Sequence, residues 1–282
     1  MNTSHPKIAI VRGSGLSKWE MQVYEPLVLW FDLIGIGALP GTNDIASIRF
    51  PLYRLPTIPT FLSGLPKFIP AMFSVFGDTQ WLLGFEKAVA GRDLIHSVEA
   101  HNGFSLQAVR AKRKGLVRYV TLTVYENIPY LFHEYPKREA LKKEVYTYTD
   151  HFLAVNEMSR QMLILEGVPS GKISLVPQSA DTSRFTPSPS QRLVRLWRKK
   201  LRDAIGLKPD DFLVLCVGRI VWEKGWYDII ATAARLKQLL PKISFLCLGD
   251  GPERKRLELL VKDLQLTNTV KFMRLLPYQE MA

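Results

Sequence analysis

Short apolar runs rich in β-branched residues alternate along the chain with longer stretches whose apolar positions recur every three or four residues. That alternation predicts an α/β architecture with parallel sheets. Strands are predicted at 7–13 (KIAIVRG), 93–98 (DLIHSV), 118–125 (RYVTLTVY), 151–156 (HFLAVN) and 172–177 (KISLVP), with helices near 104–114, 137–148 and 157–166. After Pro177 the segment SADTSRFTPSPSQ is polar and proline-containing, which reads as a boundary. A second alternation follows. Strands are predicted at 212–218, 244–250 and 269–273, separated by helices over 226–240 and 253–264. The first of these helices has Trp226, Ile229, Ile230, Ala233, Leu236 and Leu240 at helical spacing; the second has Leu257, Leu260, Val261 and Leu264. The expected organisation is a first domain over 1–185, a basic linker or helix over 186–208, and a second domain over 209–282. Three strands and two helices are few for a covered parallel sheet. The second domain is therefore expected to be incomplete, with one strand edge and one apolar face open, as in a fragment or a chain completed by a partner.

Composition narrows the class. Of 282 residues, 47% are hydrophobic and 23% charged, which excludes a disordered chain and is compatible with a sizeable core. The two cysteines, Cys216 and Cys247, each lie in an apolar run and are expected to be buried, reduced thiols. The polar MNTSHPK start and the short IAIV run do not make a secretory signal. Lys67 and three prolines (Pro59, Pro66, Pro70) interrupt the most apolar stretch, 58–77, so a membrane-spanning helix is not expected there. These features favour a cytoplasmic location. The net charge of +12 points to anionic partners without choosing among them. Its densest cluster, RLVRLWRKKLR (192–202), places Leu193, Leu196, Trp197 and Leu201 near helical spacing. A solvated interdomain helix and a membrane-surface helix are both open readings; no nucleic-acid motif supports a third. The segment 61–77 is open in the same way, as buried core or as the dock for a lipid-linked acceptor at a membrane face.

Two turns could carry chemistry. The first strand runs into Gly13-Ser14-Gly15, and Ser17-x-x-Glu20 then forms a capping-box pattern. Backbone amides there could approach a phosphate, or the glycines could simply serve a tight turn. The dinucleotide fingerprint is absent because Lys18 occupies its third glycine position. In the second domain, GRIVWEKG (218–225) leaves a strand and enters a helix, so Arg219 and Lys224 emerge at the carboxyl end of the sheet. An arginine fork and a mobile ammonium suit a diphosphate, against the alternative of two chance surface cations. No Asp-x-Asp motif and no metal-ligand spacing is present, and no cofactor is expected.

GRIVWEKG (218–225), LGDGPER (248–254) and VPQSADTSRF (176–185) together resemble glycosyltransferase family 4. The N-terminal glycine turn, DLIHSVEAHNGFSLQA (93–108) and TVYENIP (123–129) add to the resemblance. Gln178 and Ser179 depart from the family's Asn-Gly at the third motif. The resemblance implies a GT-B fold of two Rossmann-like domains. It implies transfer of a sugar from a nucleotide donor to a glycan or lipid-linked acceptor, with retention and without a metal, and Arg219 and Lys224 would grip the diphosphate. Glu99, His101 and Glu126, at strand ends facing the cleft, are the candidate catalytic residues. Either His101 or His96 could be the family's sugar-contacting histidine; His101 is favoured, although the spacing does not decide. The family's two glutamates eight residues apart, which hold the donor, would lie beyond Ala282. The alternative from another class is a non-catalytic module that binds a nucleotide sugar or a membrane surface.

Overall fold

The computed structural model describes residues 5–39, 48–58, 78, 80–179 and 190–274. The apolar segment 61–77, most of the motif 176–185 and the last eight residues lie outside that set. The chain divides into two compact units, Met1–Ala180 and Asp181–Ala282.

Unit 1 contains a seven-stranded parallel sheet. Its strands are β1 (Lys7–Gly13), β2 (Asp32–Ala38), β3 (Leu52–Leu55), β4 (Leu94–Val98), β5 (Tyr119–Val124), β6 (His151–Ala154) and β7 (Ile173–Leu175), in the order β3-β2-β1-β4-β5-β6-β7. The helices are α1 (Lys18–Gln22), α2 (Phe85–Val89), α3 (Gly103–Arg113), α4 (Pro136–Tyr148) and α5 (Glu157–Leu165). β1 is central and is buried from Ala9 onward, as expected of a strand covered on both faces. One face packs Phe104, Val109, Val120 and Phe152 into the main core; the other packs Ile10, Leu16, Met21 and Leu33.

The predicted strands and the three long helices of this unit form within a few residues of their expected limits. β2 and β3 were not foreseen. β2 reads DLIGIGA, and its glycines look like punctuation in a sequence. They are there because a Cβ on Gly35 would meet Leu52 at 2.4 Å, and one on Gly37 would meet Leu16 at 2.5 Å. The predicted capping box forms by half. Ser17 Oγ accepts from the Glu20 amide at 3.4 Å, while the Glu20 carboxylate turns away to pair with Arg12.

Unit 2 contains α6 (Gln191–Ala204), β8 (Phe212–Val217), α7 (Trp226–Leu239), β9 (Ile243–Leu248), α8 (Arg254–Asp263) and β10 (Val270–Met273). Its strands are parallel, in the order β10-β9-β8. Trp226, Ile230, Phe245, Cys247, Leu257 and Val261 make its core. Cys216 and Cys247 are register partners on β8 and β9, both free thiols, and burial pushes Cys247 up to about 12. Cys247 is buried and Cys216 half-buried. The opposite side of β8 is open, with Leu215 and Val217 exposed. On α6, Leu193, Leu196, Trp197 and Leu201 are exposed beside its arginines and lysines. Among the described residues, no helix is long and apolar enough to cross a membrane.

Candidate active site

The strand order of unit 1 reverses between β1 and β4, and parallel α/β sheets bind ligands outside the strand ends at such a point. Both predicted unit 1 clusters fall there. Gly13-Ser14-Gly15 follows β1, and Glu99 to Asn102 follows β4.

The glycine turn is tightly packed. Gly13 has φ +50°, and a Cβ there would lie 2.3 Å from the Phe104 ring. Its amides are engaged: Ser14 N donates to Gln80 Oε1 at 2.8 Å and Gly15 N to Arg12 O at 2.9 Å. Arg12, not singled out in the sequence, lies beneath the turn. It is buried, pairs with Glu20 and donates to Tyr125 Oη at 3.1 Å. Arg12, Glu20 and Tyr125 line two neighbouring cavities. One of about 600 Å³ reaches Tyr24, His96 and the 176–179 stretch; one of about 230 Å³ reaches Ser14, Gly15 and Asn102.

His96 lines the larger cavity but is fixed within the sheet. Its Nδ1 lies 2.9 Å from Thr121 Oγ1 and its Nε2 3.0 Å from Thr123 Oγ1. Burial, and then the charge of Arg12, push its pKa down to about 3, so the ring is neutral at physiological pH.

Glu99, His101 and Glu126 come together. Glu99 occupies a left-handed backbone conformation (φ +57°) at the β4–α3 turn, a strained geometry for a residue with a Cβ. Its Oε1 accepts from the amides of Tyr125 at 2.8 Å and Glu126 at 3.1 Å. His101 packs on Phe132, with ring centroids 4.7 Å apart, and its Nδ1 lies 3.5 Å from Glu126 Oε2, longer than an ordinary hydrogen bond. Glu126 Oε1 accepts from Lys142 Nζ at 3.0 Å. Burial raises the Glu99 carboxyl above the usual range. For Glu126 burial acts the same way, but His101 and Lys142 outweigh it and hold that carboxyl below the range. Two carboxyls pushed apart in this way are suited to acid and base roles.

Two features here escaped the sequence reading. Lys142 projects from α4 with its side chain only 2% exposed, bridging Glu126 and Glu166, which also accepts from Tyr146 Oη at 2.7 Å. In the sequence it is one of two adjacent lysines, and only helical phase separates the buried one from its neighbour. Asp78 accepts from the first amide of α3, Gly103 N, at 2.6 Å, placing a carboxylate at the positive end of that helix. No local motif announces it, because it lies 25 residues away.

In unit 2, GRIVWEKG leaves β8, makes a short 3-10 turn at Trp222–Lys224 and enters α7 through Gly225, whose φ is +68°. Trp226 is buried and its Nε1 donates to Arg219 O at 2.7 Å, fixing the backbone under the arginine. LGDGPER folds directly against this loop. A Cβ on Gly249 would lie 2.0 Å from Gly218 O and one on Gly251 2.2 Å from Ile220 O, so both glycines exist for backbone contact. Ile220 N donates to Asp250 O at 2.8 Å. Arg219 and Lys224 are exposed, and neither has an acidic partner among the described residues. Two unspent cations thus sit at a strand end and a helix start, where an anion is best received.

Residues 198–282 match the family described as glycosyl transferases, group 1. The chain resembles glycosyl transferases of this kind. The alpha-galactosylglucosyldiacylglycerol synthase of Streptococcus pneumoniae is 29% identical over 148 residues, 51% of this chain and 37% of that protein. The GDP-mannose-dependent alpha-(1-6)-phosphatidylinositol monomannoside mannosyltransferase of Mycolicibacterium smegmatis is 30% identical over 113 residues, 40% of this chain and 28% of that protein. The aligned part thus spans less than half the length of either relative. Among solved structures, Anabaena HepE in complex with UDP and glucose superposes with a TM-score of 0.70 at 17% identity, covering 97% of this chain and 70% of that one. The UDP-GlcNAc 2-epimerase of Methanocaldococcus jannaschii gives 0.58 at 15%, covering 97% and 74%. Both units therefore have the Rossmann-like sheets of the GT-B fold. Transferases and epimerases share that fold, and the curated relatives are transferases.

Proposed function

We propose that the protein transfers a hexosyl group from a nucleoside-diphosphate sugar to an acceptor, with retention of anomeric configuration. The observation that carries this reading is the pair Arg219 and Lys224, exposed and without acidic partners among the described residues at the end of β8, in the segment that resembles group 1 glycosyl transferases. The leaving group is a nucleoside diphosphate, whose negative charge grows as the glycosidic bond breaks. Two cations stabilise that charge without a metal at the phosphates. In unit 1, His101 with Glu99 and Glu126 forms the polar group for the reacting sugar or acceptor. Ser14 and Gly15, just after Gly13, line the smaller cavity, and Ser14 N reaches a phosphate only if Gln80 gives way.

In the full-length protein, Arg219→Ala and Lys224→Ala should each lower turnover by at least about 10²-fold. Near-normal turnover in both would overturn the assignment. Measuring release of free nucleoside diphosphate with and without acceptor separates a transferase from an epimerase, which releases none and needs no acceptor.

The acceptor is lipid-linked and met at the cytoplasmic face of a membrane, in the same proposal. Its support is α6, which exposes Leu193, Leu196, Trp197 and Leu201 beside a dense set of cations. Binding to anionic vesicles should be clear at low salt and weaken sharply as salt rises. An absence of binding at low salt would remove the membrane from the reading.

A further inference from the structure

Behind the polar group of unit 1, two carboxylates share one buried ammonium. Lys142 Nζ lies 3.0 Å from Glu126 Oε1 and 2.8 Å from Glu166 Oε2. Glu166, at the end of α5, accepts in turn from Tyr146 Oη on α4 at 2.7 Å and from the Tyr130 amide at 2.6 Å. The end of α5 is thus tied both to α4 and to the loop that follows Glu126. Tyr130 has φ +59°, a strained conformation for a residue with a Cβ, and its Oη donates to Leu165 O at 2.7 Å. The loop is held at that point from both ends of one residue.

The arrangement places charge on Glu126 rather than on Glu99. Burial pushes both carboxyls up; for Glu126, His101 and then Lys142 outweigh it, whereas Glu99 stays high. Arg138 also faces Glu126 and adds a positive charge on the same side. His101 therefore meets a carboxylate at its Nδ1, 3.5 Å from Glu126 Oε2, with Phe132 packed on its ring. A neutral imidazole carries one proton, and the nitrogen that faces an anion keeps it. Nδ1 is fully buried while the His101 side chain is 18% exposed, so the part of the ring that solvent reaches is not Nδ1.

We propose that Lys142 and Glu166 are positioning residues that act through Glu126 to keep the His101 proton on Nδ1, leaving Nε2 as a hydrogen-bond acceptor for a hydroxyl of the reacting sugar or the acceptor. Lys142 supplies the charge that keeps Glu126 ionised, and Glu166 sets how much of it Glu126 receives. The two carboxylates compete for one cation and repel each other, so removing either charged neighbour acts on Glu126 in opposite directions. A clamp that only supported the fold would be loosened by both changes alike. The role assigned to Nε2 rests on the reading of His101 as the contact for the sugar or acceptor, but the ring's proton can be located without any substrate.

The experiment is NMR of the substrate-free chain. Long-range proton–nitrogen spectra of 15N-histidine chain in alkaline buffer read the His101 tautomer, and carboxyl 13C shifts of labelled glutamate read the ionisation of Glu126. The wild type is expected to hold His101 with its proton on Nδ1. Lys142→Met should move the Glu126 midpoint up and lower the Nδ1–H share, and Lys142→Arg should restore both. Glu166→Gln keeps an oxygen for the Tyr130 amide but drops the competing charge, so it should move the Glu126 midpoint down. A proton on Nε2 in the wild type would overturn the inference, as would shifts of the same sign in Lys142→Met and Glu166→Gln. If Lys142→Met does not fold, Glu166→Gln decides alone, and a rise or no change in the Glu126 midpoint counts against. Such a failure would leave Arg219 and Lys224 untouched, whereas normal turnover without those two cations would leave the His101 result standing.

Discussion

Unit 1 and unit 2 handle charge in opposite ways. Around Glu126, Lys142 and Glu166 the charges are buried, with side chains 5%, 2% and 7% exposed, and are largely spent on one another. Arg219 and Lys224 are exposed and are spent on nothing described in the chain. A buried pair contributes little net stability because desolvation offsets its attraction, but breaking it leaves a charge stranded. An exposed cation costs the fold almost nothing and stays available. The contrast therefore separates residues that position a site from residues that wait for a ligand, although all are charged and several stand near strand ends.

The sharpest way to break the comparison is Lys142→Met. It strands Glu126 and Glu166 together and should cost about 3–5 kcal/mol, read as a lower urea midpoint by circular dichroism. A loss below about 1 kcal/mol would mean that the network is solvated and that the two units do not differ as described.

Gly251→Ala comes next. Its Cβ would lie 2.2 Å from Ile220 O, so the 218–225 loop must move, at a cost of about 1–3 kcal/mol. Nucleoside-diphosphate binding should fall with it. Unchanged stability and binding would show that Arg219 and Lys224 need no clasp from the neighbouring turn.

His96 sharpens the comparison through pH. Its folded pKa, about 3, is below the unfolded 6.5, so the unfolded chain binds the extra proton as pH falls through 6.5. This contribution to stability is complete above pH 6.5 and declines on acidification by up to about 1.4 kcal/mol per pH unit. Comparing unfolding at pH 6.5 and pH 5, His96→Gln should flatten that decline. An equal slope in the variant would mean that His96 protonates in the folded state.

The smallest effect is expected in unit 2. Arg219→Ala and Lys224→Ala should each change stability by no more than about 0.5 kcal/mol, since neither side chain pairs with an acidic group among the described residues. A larger loss would show that these cations already have a structural partner.

Legibility followed the same division. The strands of unit 2 and their two helices could be read because local periodicity and punctuation agree there. The second motif was legible as a pattern but not as a cause: LGDGPER needs its glycines because two loops touch through their backbones. Glu99, His101 and Glu126 could be named from their places after predicted strands, yet nothing in the sequence brings the three side chains together. β2 was missed because its glycines answer to Leu52 and Leu16, residues outside the strand.

By itself the sequence determined the alternation of strands and helices, the placing of Arg219 and Lys224 at a strand end, and the resemblance to glycosyltransferases. These rest on local spacing, which the backbone converts into position without help. Only the tertiary structure decided that His96 is fixed between two threonines, that Arg12 and Lys142 are buried, and that Asp78 caps α3. Burial and pairing depend on contacts between residues tens of positions apart, and those contacts exist only once the sheet has brought its strands side by side.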